Sequence, residues 1–450
     1  MRIVIVGAGL VGSTLADRLS RDGHDVAIVD QDAARIRALA DGLDAQVVEA
    51  NGATAAALRQ AGIEGADLVV ATSDVDEVNL MVGMLAASLF DIPRIIVRLR
   101  DSAHEEAFAL IHAGRSGDHV SINPDAAAVD RIAALLEVPG AVDVVSFMDD
   151  RLVVAGFRIK EEADLVGVQV SDMNLLFADT PALAVAIHRR DDWLVPHGGE
   201  QIEVGDLVYF AIAREHLSDV LTLLGVAPDR RGDVMIAGAG PIGLQLAKRL
   251  EATDVDTVLV EHDEARAFHA SEVLRRTMVI RGEVTDRALL EQEGIDRIST
   301  FVAVTEDHET NLVAGLLAKR LGAGRAVVLV DNVALVDLVS EIGIDAIISP
   351  RVLVIGFALE HIRGRRVRSV AQLLEDQIEI VEAEAASRSG PLCADLLVDL
   401  KLPRGVLVAA LRRGEKLVVP QGDDRIEPGD RVLFITTTEN AAKLADFLAG

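Results

Sequence analysis

A glycine-rich loop of the pattern GxGxxG occurs twice in this chain of 450 residues. Each copy follows a short apolar run and opens a helical pattern. At the same distance from each first glycine, an acid ends a second apolar run: Asp30 in the first half and Glu261 in the second. This order predicts a dinucleotide-binding βαβ unit, and its duplication makes the prediction stronger than one isolated motif would. The two loops are Gly7, Ala8, Gly9, Leu10, Val11 and Gly12, and Gly238, Ala239, Gly240, Pro241, Ile242 and Gly243.

The three glycines of each loop have separate expected roles. Gly7 permits a tight turn, Gly9 leaves room for a pyrophosphate to approach the backbone, and Gly12 lets the next helix pack close to the sheet. The helix that opens near Leu10 directs free amide groups and the positive end of its dipole at the phosphates. Pro241 costs little near a helix start, where its missing amide is not needed. The corresponding glycines of the second half are Gly238, Gly240 and Gly243.

The two acids predict which nucleotide binds. A carboxylate at the position of Asp30 or Glu261 accepts hydrogen bonds from both ribose hydroxyls and repels a 2′-phosphate. Gln31 and Asp32 follow the first acid, so no arginine stands immediately beside it to favour NADP. We therefore predict NAD(H) and ATP or ADP as the ligands. The alternative is that both acids cap helices or lie at the surface.

Strand and helix patterns alternate through the first part of the chain, and the same cycle restarts near residue 232. Each cycle has six apolar strand patterns, which predicts a doubly wound parallel sheet in the order 3-2-1-4-5-6. Short strands and turns follow each cycle, with landmarks at equal spacing in Pro196 and Asp206, and in Pro420 and Asp430. The predicted fold class is α/β. It has two Rossmann domains (1–140 and 232–366), each followed by a small α+β domain (141–226 and 367–450).

Further candidate contacts lie where strands three and four end. Asn51-Gly52 and Arg281-Gly282 end the third strand of each half, where an adenine edge would lie. Thr72 and Ser73 end the fourth strand of the first half, and matching of landmarks aligns Thr72 with Thr305. Capping of the next helix is an almost equally good explanation for this last group, and capping and ligand contact are compatible.

Strand five distinguishes the two halves. Arg98 on this strand of the first half corresponds to Leu329 in the second. The arginine could neutralise phosphate charge or pair across a subunit interface. We expect the first site to prefer the more highly charged phosphate ligand.

Charge and composition narrow the classes of function. The formal net charge is −28, which disfavours binding to nucleic acid or to an anionic membrane surface. A single cysteine, Cys393, fits a reducing compartment, and no apolar run is long enough to span a bilayer. Searches for a Ser-His-Asp order, HExxH, CxxC or a Walker lysine find none, so we predict no catalytic residues, no metal site and no enzyme activity. Any membrane role must then come through a membrane-embedded partner.

The combination of these features resembles the RCK (KTN) family, whose module joins a TrkA-N to a TrkA-C domain. Two such modules in one chain are similar to the regulatory subunits of Trk potassium uptake systems. The resemblance implies NAD(H) and ATP/ADP as ligands, and the glycines, Asp30 and Glu261 as the binding residues. It also implies a homo-oligomeric ring, expected to be a tetramer, on the cytoplasmic face of the inner membrane, attached through a potassium-translocating subunit. Asn51-Gly52 departs from the Gly-Asp pair common in the family.

The sequence therefore predicts a cytoplasmic, nucleotide-binding regulatory subunit that gates a membrane potassium uptake system. In this interpretation the ligand bridges the strand-one loop and the end of strand four. Two alternatives stay open: an NAD-dependent oxidoreductase, and a nucleotide-sensing subunit of another cation transporter.

Overall fold

The computed structural model describes residues 1–40, 42–173, 182–190, 192–226, 232–331, 343–362, 367–373, 377–385, 391–403 and 405–449. The chain forms two compact units. The first contains Met1–Ala127 and Pro350–Ile362, and the second contains Ala128–Ser349 and Arg363–Gly450.

The first unit is built around a six-stranded parallel sheet in the predicted order, β3-β2-β1-β4-β5-β6. Its strands are β1 (Arg2–Val6), β2 (Asp25–Asp30), β3 (Gln46–Glu49), β4 (Leu68–Ala71), β5 (Arg94–Arg98) and β6 (Asp118–Ile122). The helices of this part of the chain are α1 (Leu10–Arg21), α2 (Ala33–Ala40), α3 (Ala55–Gln60), α4 (Asp76–Ser88), α5 (Ser102–His112) and α6 (Pro124–Glu137).

The central strands of this sheet are buried on both faces. Val4 and Ile5 of β1 have no exposed surface, and Val4 pairs with Ala27 of β2 and with Val69 of β4. Continuous runs of Val and Ile suit strands that are covered by helices on both sides. Because β2 and β4 flank β1, the sheet reverses its winding there, and the carboxyl ends of β1 and β4 border a crevice.

A second sheet of the same kind lies in the second unit. Its order is β14-β13-β12-β15-β16-β17, which again confirms the predicted order. Its strands are β12 (Val234–Ala237), β13 (Thr257–Glu261), β14 (Met278–Arg281), β15 (Thr300–Ala303), β16 (Arg325–Leu329) and β17 (Ala346–Ile348).

Two five-stranded, mainly antiparallel sheets complete the second unit. The first has the order β10-β9-β11-β8-β7, from β7 (Ala141–Phe147), β8 (Leu152–Arg158), β9 (Ala182–Arg189), β10 (Asp192–Leu194) and β11 (Leu207–Ala213). The other has the order β18-β19-β22-β20-β21, from β18 (Val367–Gln372), β19 (Ile378–Glu384), β20 (Val406–Arg413), β21 (Lys416–Val418) and β22 (Arg431–Thr437). The helices of this unit are α7 (Leu217–Leu223), α8 (Pro241–Leu250), α9 (Glu264–Val273), α10 (Arg287–Gln292), α11 (His308–Arg320) and α13 (Thr438–Ala449), with α12 (Pro350–Ile362) belonging to the first unit.

The two antiparallel sheets share one hydrophobic core, which includes Tyr209 and Leu433. Each contains the Gly-Asp turn found in the sequence. Gly205 adopts a φ of +89°, and the buried Asp206 beside it accepts two hydrogen bonds from the Arg189 guanidinium, at 2.8 and 2.7 Å. Asp430 is held by Arg413 in the same way, at 3.0 and 2.8 Å. The turn therefore has a structural role in both sheets.

Two helices belong, wholly or in large part, to a different unit from the Rossmann sheet that precedes them in the chain. α6 follows β6, but its residues from Ala128 onward belong to the second unit, and α12 follows β17 but belongs to the first. The sequence pattern placed each helix in its own Rossmann domain, so this exchange was not predicted. The predicted fold class is confirmed, and the four domain boundaries stay predictions.

Candidate functional site

The first glycine loop has the geometry that its sequence predicts. Gly7 adopts a φ of +107°, which only glycine tolerates readily, and a Cβ on Gly12 would collide with the Gly7 carbonyl oxygen. α1 begins at Leu10, directly after the loop. A Cβ on Gly9 would meet only one nearby atom, Nη1 of Arg35 at 3.6 Å. The middle glycine therefore faces open space, where a pyrophosphate could approach the backbone.

The second loop repeats this arrangement. Gly238 has a φ of +106°, and a Cβ on Gly243 would collide with the Gly238 carbonyl oxygen. A Cβ on Gly240 would meet no atom within 4 Å. Pro241 is the first residue of α8, where its missing amide is tolerated. The residues between the glycines are buried in part. Leu10 is exposed, whereas the buried ones are Ala8, Val11, Ala239 and Ile242.

The acids at the ends of β2 and β13 hold the loops from behind. Asp30 accepts hydrogen bonds from the backbone amides of Ala8, at 2.6 Å, and Asp32, at 2.8 Å. Glu261 accepts from the amides of Ala239, at 2.7 Å, and Asp263, at 2.8 Å. Both carboxylates are buried. Oε1 of Glu261 also lies 2.9 Å from Nδ1 of His262, whereas Oε2 accepts the Ala239 amide. A carboxylate oxygen that accepts one amide keeps a further lone pair, which can accept a ribose hydroxyl.

A buried asparagine ties the ends of the fourth and fifth strands together in the first unit. Asn79, on α4, has no exposed surface. Its Oδ1 accepts the Ser73 amide at 2.9 Å, and its Nδ2 donates to the Ser73 and Arg98 carbonyls at 2.8 and 2.7 Å. The Asn79 amide thus fixes one wall of the crevice. Thr72 is buried nearby, with its hydroxyl 3.4 Å from the Val6 and Gly7 carbonyl oxygens.

Asn311 repeats this arrangement in the second unit. Its Oδ1 accepts the Thr305 amide at 2.9 Å, and its Nδ2 donates to the Thr305 and Leu329 carbonyls, both at 3.0 Å. The structural partner of Thr305 is therefore Ser73. The sequence-based alignment of Thr305 with Thr72 was wrong by one residue, because it matched the two threonines by residue type. The fourth strands end at Ala71 and Ala303, so Thr305 and Ser73 are both the second residue after the strand.

The strand-five arginine of the first half forms an ion pair. Arg98 is buried, and its Nη1 lies 3.0 Å from Oδ1 of Asp74, an exposed residue at the end of the strand-four loop. Arg100 lies beyond the last residue of β5. Arg98 is therefore positioned beside the crevice with its charge partly balanced.

The second half has different ion pairs. Leu329 replaces the arginine, and Glu306, which stands where Asp74 stands in the first unit, pairs instead with Arg266 of α9 at 3.0 Å. This pair joins a residue that follows the acid at the end of β13 to a residue that follows β15. It therefore spans the crevice from one side to the other.

Arg35 and Arg266 were missed by the sequence analysis, which examined only the residues immediately after each acid. Arg35 lies on α2, with Nη1 3.8 Å from Oδ2 of Asp30. Arg35 follows Asp30, and Arg266 follows Glu261, at the same spacing, so comparison of the two halves could have found them. Both are partly exposed. At the start of α9, the backbone amide of Arg266 donates a hydrogen bond to Asp263 and holds the pKa of that carboxyl below its usual range. The start of α9 therefore stays negatively charged.

The ends of the third strands have other contacts. The Asn51 side chain accepts the Ala53 amide at 2.9 Å, which makes a local turn. A Cβ on Gly52 would collide with Val6 of β1, so its lack of a side chain is explained by packing. Arg281 pairs with Glu264 at 2.9 Å, and Gly282 lies against Leu289. Contact of these four residues with an adenine stays a prediction.

Two domain families cover most of the chain. The TrkA-N domain matches residues 3–121 and 234–350, and the TrkA-C domain matches residues 154–225 and 381–449. A Trk system potassium uptake protein TrkA from Halomonas elongata is 35% identical over 436 residues, which is 96% of this chain and 95% of the relative. Another from Azorhizobium caulinodans is 33% identical over 448 residues, 99% of this chain and 98% of the relative. The chain belongs to the TrkA family. These relatives are named as potassium uptake proteins, so the prediction of a non-catalytic protein in potassium transport is confirmed.

Solved structures show the same fold. A crystal structure of the GsuK RCK domain superposes on the TrkA-family chain with a TM-score of 0.62 at 20% identity, covering 100% of this chain and 95% of that one. A structure of the GsuK channel bound to NAD has the same TM-score and sequence identity. The match covers 100% of this chain and 79% of the GsuK chain. Within the described residues of the TrkA-family chain, no three His, Cys, Asp or Glu side chains converge as metal ligands, and every helix is too short or too polar to cross a bilayer.

Proposed function

We propose that this TrkA-family chain is a nucleotide-binding regulatory subunit that gates a membrane-embedded potassium-translocating partner. The observation that carries the proposal is the duplicated crevice, in which an acid holds a glycine loop whose middle glycine faces open space. The chain has two such crevices and belongs to a potassium uptake family.

Each crevice presents the groups that an adenine dinucleotide or nucleotide needs. The amide groups at the start of α1 and α8 face the phosphates, and the carboxylates of Asp30 and Glu261 accept the ribose hydroxyls. The NAD-bound GsuK channel, which has the same fold, supports NAD(H) as one ligand. ATP and ADP are proposed because they share the ribose and the phosphates. The contact residues are those predicted from the sequence, with Arg35 and Arg266 added.

The two crevices differ in charge, and we assign them different ligands. The first has two arginines at its border: Arg35 beside the middle glycine, and Arg98 at the far wall, where the exposed Asp74 balances part of its charge. In the second, Arg266 is held by Glu306, and no arginine replaces Leu329. The first site therefore favours ATP or ADP, and the second favours the less charged NAD(H).

Gating requires that the ligand bind two arrangements of the protein with different affinity. A nucleotide that contacts both the glycine loop and the strand-four loop stabilises one separation of these two loops. We propose that this change is transmitted through a homo-oligomeric ring, a tetramer of this chain, to the membrane partner. The protein then lies in the cytoplasm, peripheral to the inner membrane.

Binding can be tested with two matched variants. Calorimetric titration of the full-length protein with NADH, ATP and ADP is expected to give two sites per chain. Asp30→Asn should weaken one site and Glu261→Gln the other, each by about tenfold or more, because a charged acceptor is lost. Glu64→Gln, at an exposed surface position, serves as the control. Absence of nucleotide uptake in the parent protein would remove the proposal.

Regulation needs a separate experiment, in which the chain and a Trk-type membrane subunit are reconstituted in vesicles and potassium flux is measured. We expect flux to differ between ATP and ADP, or between NADH and NAD, and native mass spectrometry to show four chains. Identical flux with all four ligands would contradict gating. Steady consumption of NADH would favour the oxidoreductase alternative, and co-purification with a different cation transporter would favour the other one.

A further inference from the structure

A cavity of about 920 Å³ lies inside the second unit, and none of its lining residues belongs to a glycine loop. One side is formed by the first antiparallel sheet and the end of α6. The other side is the amino edge of the second Rossmann sheet, where Val234, Thr300, Arg325 and Ala346 begin their strands or adjoin the strand start. The nucleotide crevice of that sheet lies at the opposite, carboxyl ends of the same strands. The cavity is therefore a separate site, of a size typical for small organic ligands.

The lining of this cavity is basic, although the chain as a whole carries a net charge of −28. Two acids line it, and both have partners. Glu137 pairs with Arg214 at 3.2 Å, and Asp345 pairs with Lys319 at 3.0 Å. The five basic residues of the lining are Arg158, Lys160, Arg249, Lys319 and Arg325.

Among the described residues, three of these cations have no carboxylate partner within 4.0 Å. Arg249 pairs with Asp130, and Lys319 with Asp345. Arg158 and Lys160 are exposed, and within the described parts of the chain neither lies within 4.0 Å of a carboxylate. The same is true of Arg325, which is buried. An excess of positive charge thus remains around the cavity.

Arg325 contributes most to this excess, because it is shielded from water. Its guanidinium donates to the backbone carbonyls of Leu135 and Ala141, and its Nε has no hydrogen-bond partner. Burial lowers the pKa of Arg325 to about 10, so the group is still charged at neutral pH. Asp345 balances part of this charge, although its carboxylate pairs with Lys319. A buried charge that is only partly balanced attracts an anion, since little water screens it.

The opposite wall adds a flat aromatic surface. Trp193 and His188 stack with ring centroids 4.7 Å apart and an interplanar angle of 24°. The second antiparallel sheet has no stacked ring pair at the matching positions. Leu417 and Arg412 replace the stacked pair, as their strand pairing shows. The ring pair is therefore a property of this cavity and is not required by the fold.

The basic wall is likewise absent from the second antiparallel sheet. Arg158 pairs with Leu207, and the residue at the same place in the other sheet, paired with Arg431, is Glu384. A carboxylate there would reverse the sign of the wall. The positive charge of the cavity, like its aromatic surface, thus distinguishes the first module from the second.

We propose that this cavity binds a small organic anion that carries a flat ring system, with the ring against Trp193 and the acidic group towards Lys160, Arg158 and Arg325. The proposal goes beyond nucleotide binding at the glycine loops and does not depend on it.

The test uses 8-anilinonaphthalene-1-sulfonate, an aromatic sulfonate whose absorption overlaps tryptophan emission. Trp193 is the single tryptophan of the chain, so energy transfer from it reports binding near this cavity. We expect one transfer-competent probe per chain, unaffected by saturating NADH and ATP. The neutral analogue N-phenyl-1-naphthylamine should bind at least tenfold more weakly.

Charge reversal at two exposed positions completes the test. Lys160→Glu and Arg158→Glu should each weaken the sulfonate at least fivefold and leave the neutral analogue unchanged. Lys401→Glu, an exposed position outside the cavity lining, is the control for net charge. Equal melting temperatures would show that all three variants are folded. The proposal is overturned by absence of transfer from Trp193, by equal affinity for the neutral analogue, by displacement with nucleotides, or by equal effects of all three substitutions.

Discussion

Arg94 and Arg325 stand at the same place, the first residue of the fifth strand of their sheets, and each caps a helix that follows the other sheet in the chain. Arg94 donates to the carbonyls of His361 and Ile362 at the end of α12, at 3.4 and 3.3 Å. Arg325 donates to those of Leu135 and Val138 at the end of α6, at 2.9 and 3.5 Å. A cation at a helix carboxyl end also interacts favourably with the helix dipole.

Replacement of these arginines should therefore destabilise different parts of the chain. Arg325→Met leaves buried carbonyls without donors, and we expect a loss of about 2–3 kcal/mol in the second unit. Arg94→Met should cost only about 1 kcal/mol in the first, because Arg94 is less buried. Trp193 lies in the second unit, so denaturation followed by its fluorescence should shift for Arg325→Met alone. Arg100→Met, at an exposed position, is the control. Equal shifts for both variants would contradict this assignment.

The buried asparagines give a second prediction. Asn79→Ala and Asn311→Ala each remove the side chain that joins the fourth and fifth strands, and each leaves buried backbone groups unsatisfied. We expect a loss of about 2–4 kcal/mol in stability and at least tenfold weaker nucleotide binding at the affected site alone. Two-site calorimetry separates the sites. If either substitution weakened both sites equally, the local role of the asparagine would be wrong.

The ion pair across the second crevice gives a third prediction. Glu306→Gln releases Arg266 and removes a negative charge, so ATP affinity at this site should rise about fivefold, a change of roughly 1 kcal/mol between partly exposed charges. NADH, with fewer charges, should gain less. The matched variant Asp74→Asn in the first unit tests the same effect on Arg98. Both gains should shrink in 0.5 M salt, and a gain that persists there would point to a non-electrostatic cause.

A pair of histidines predicts a pH effect on stability. His119 Nε2 lies 3.1 Å from the Ile92 carbonyl oxygen, and the two Nδ1 atoms of His112 and His119 are 2.8 Å apart. If His119 donates from Nε2, then His112 donates from Nδ1, and its buried Nε2 is a bare acceptor without a partner. Burial, followed by the charges of His119 and Arg115, lowers the pKa of His112 to about 4.

The unfolded chain therefore binds this proton more readily than the folded one between pH 6.5 and 4. Stability from this group is full above pH 6.5 and falls by roughly 1 kcal/mol per pH unit as the pH drops towards 4. His112→Gln should flatten the dependence of melting temperature on pH in this window. His24→Gln, at another histidine of the first unit, is the comparison. An unchanged profile for His112→Gln would refute the assignment.

Much of the fold followed from the sequence because the glycine loops, apolar strands and repeat spacing are local signals. They predicted both sheet orders and the positions of Asp30 and Glu261. The exchange of α6 and α12 was not predictable in this way, since a helix pattern does not state which sheet it covers. The crossing pair of Arg266 and Glu306 was missed because it joins residues from separate loops. The cavity was missed because its two sides come from different domains.

The arginine-capped helices also bear on the origin of the chain. A single module, such as residues 1–226 alone, would leave Arg94 without the end of α12 to cap and the end of α6 without the Arg325 guanidinium. Two similar modules form both contacts, because the fifth-strand arginine of each caps a helix that follows the sheet of the other. The tandem chain thus resembles a homodimer of modules joined in one polypeptide. Isolated halves should accordingly pair with one another in solution.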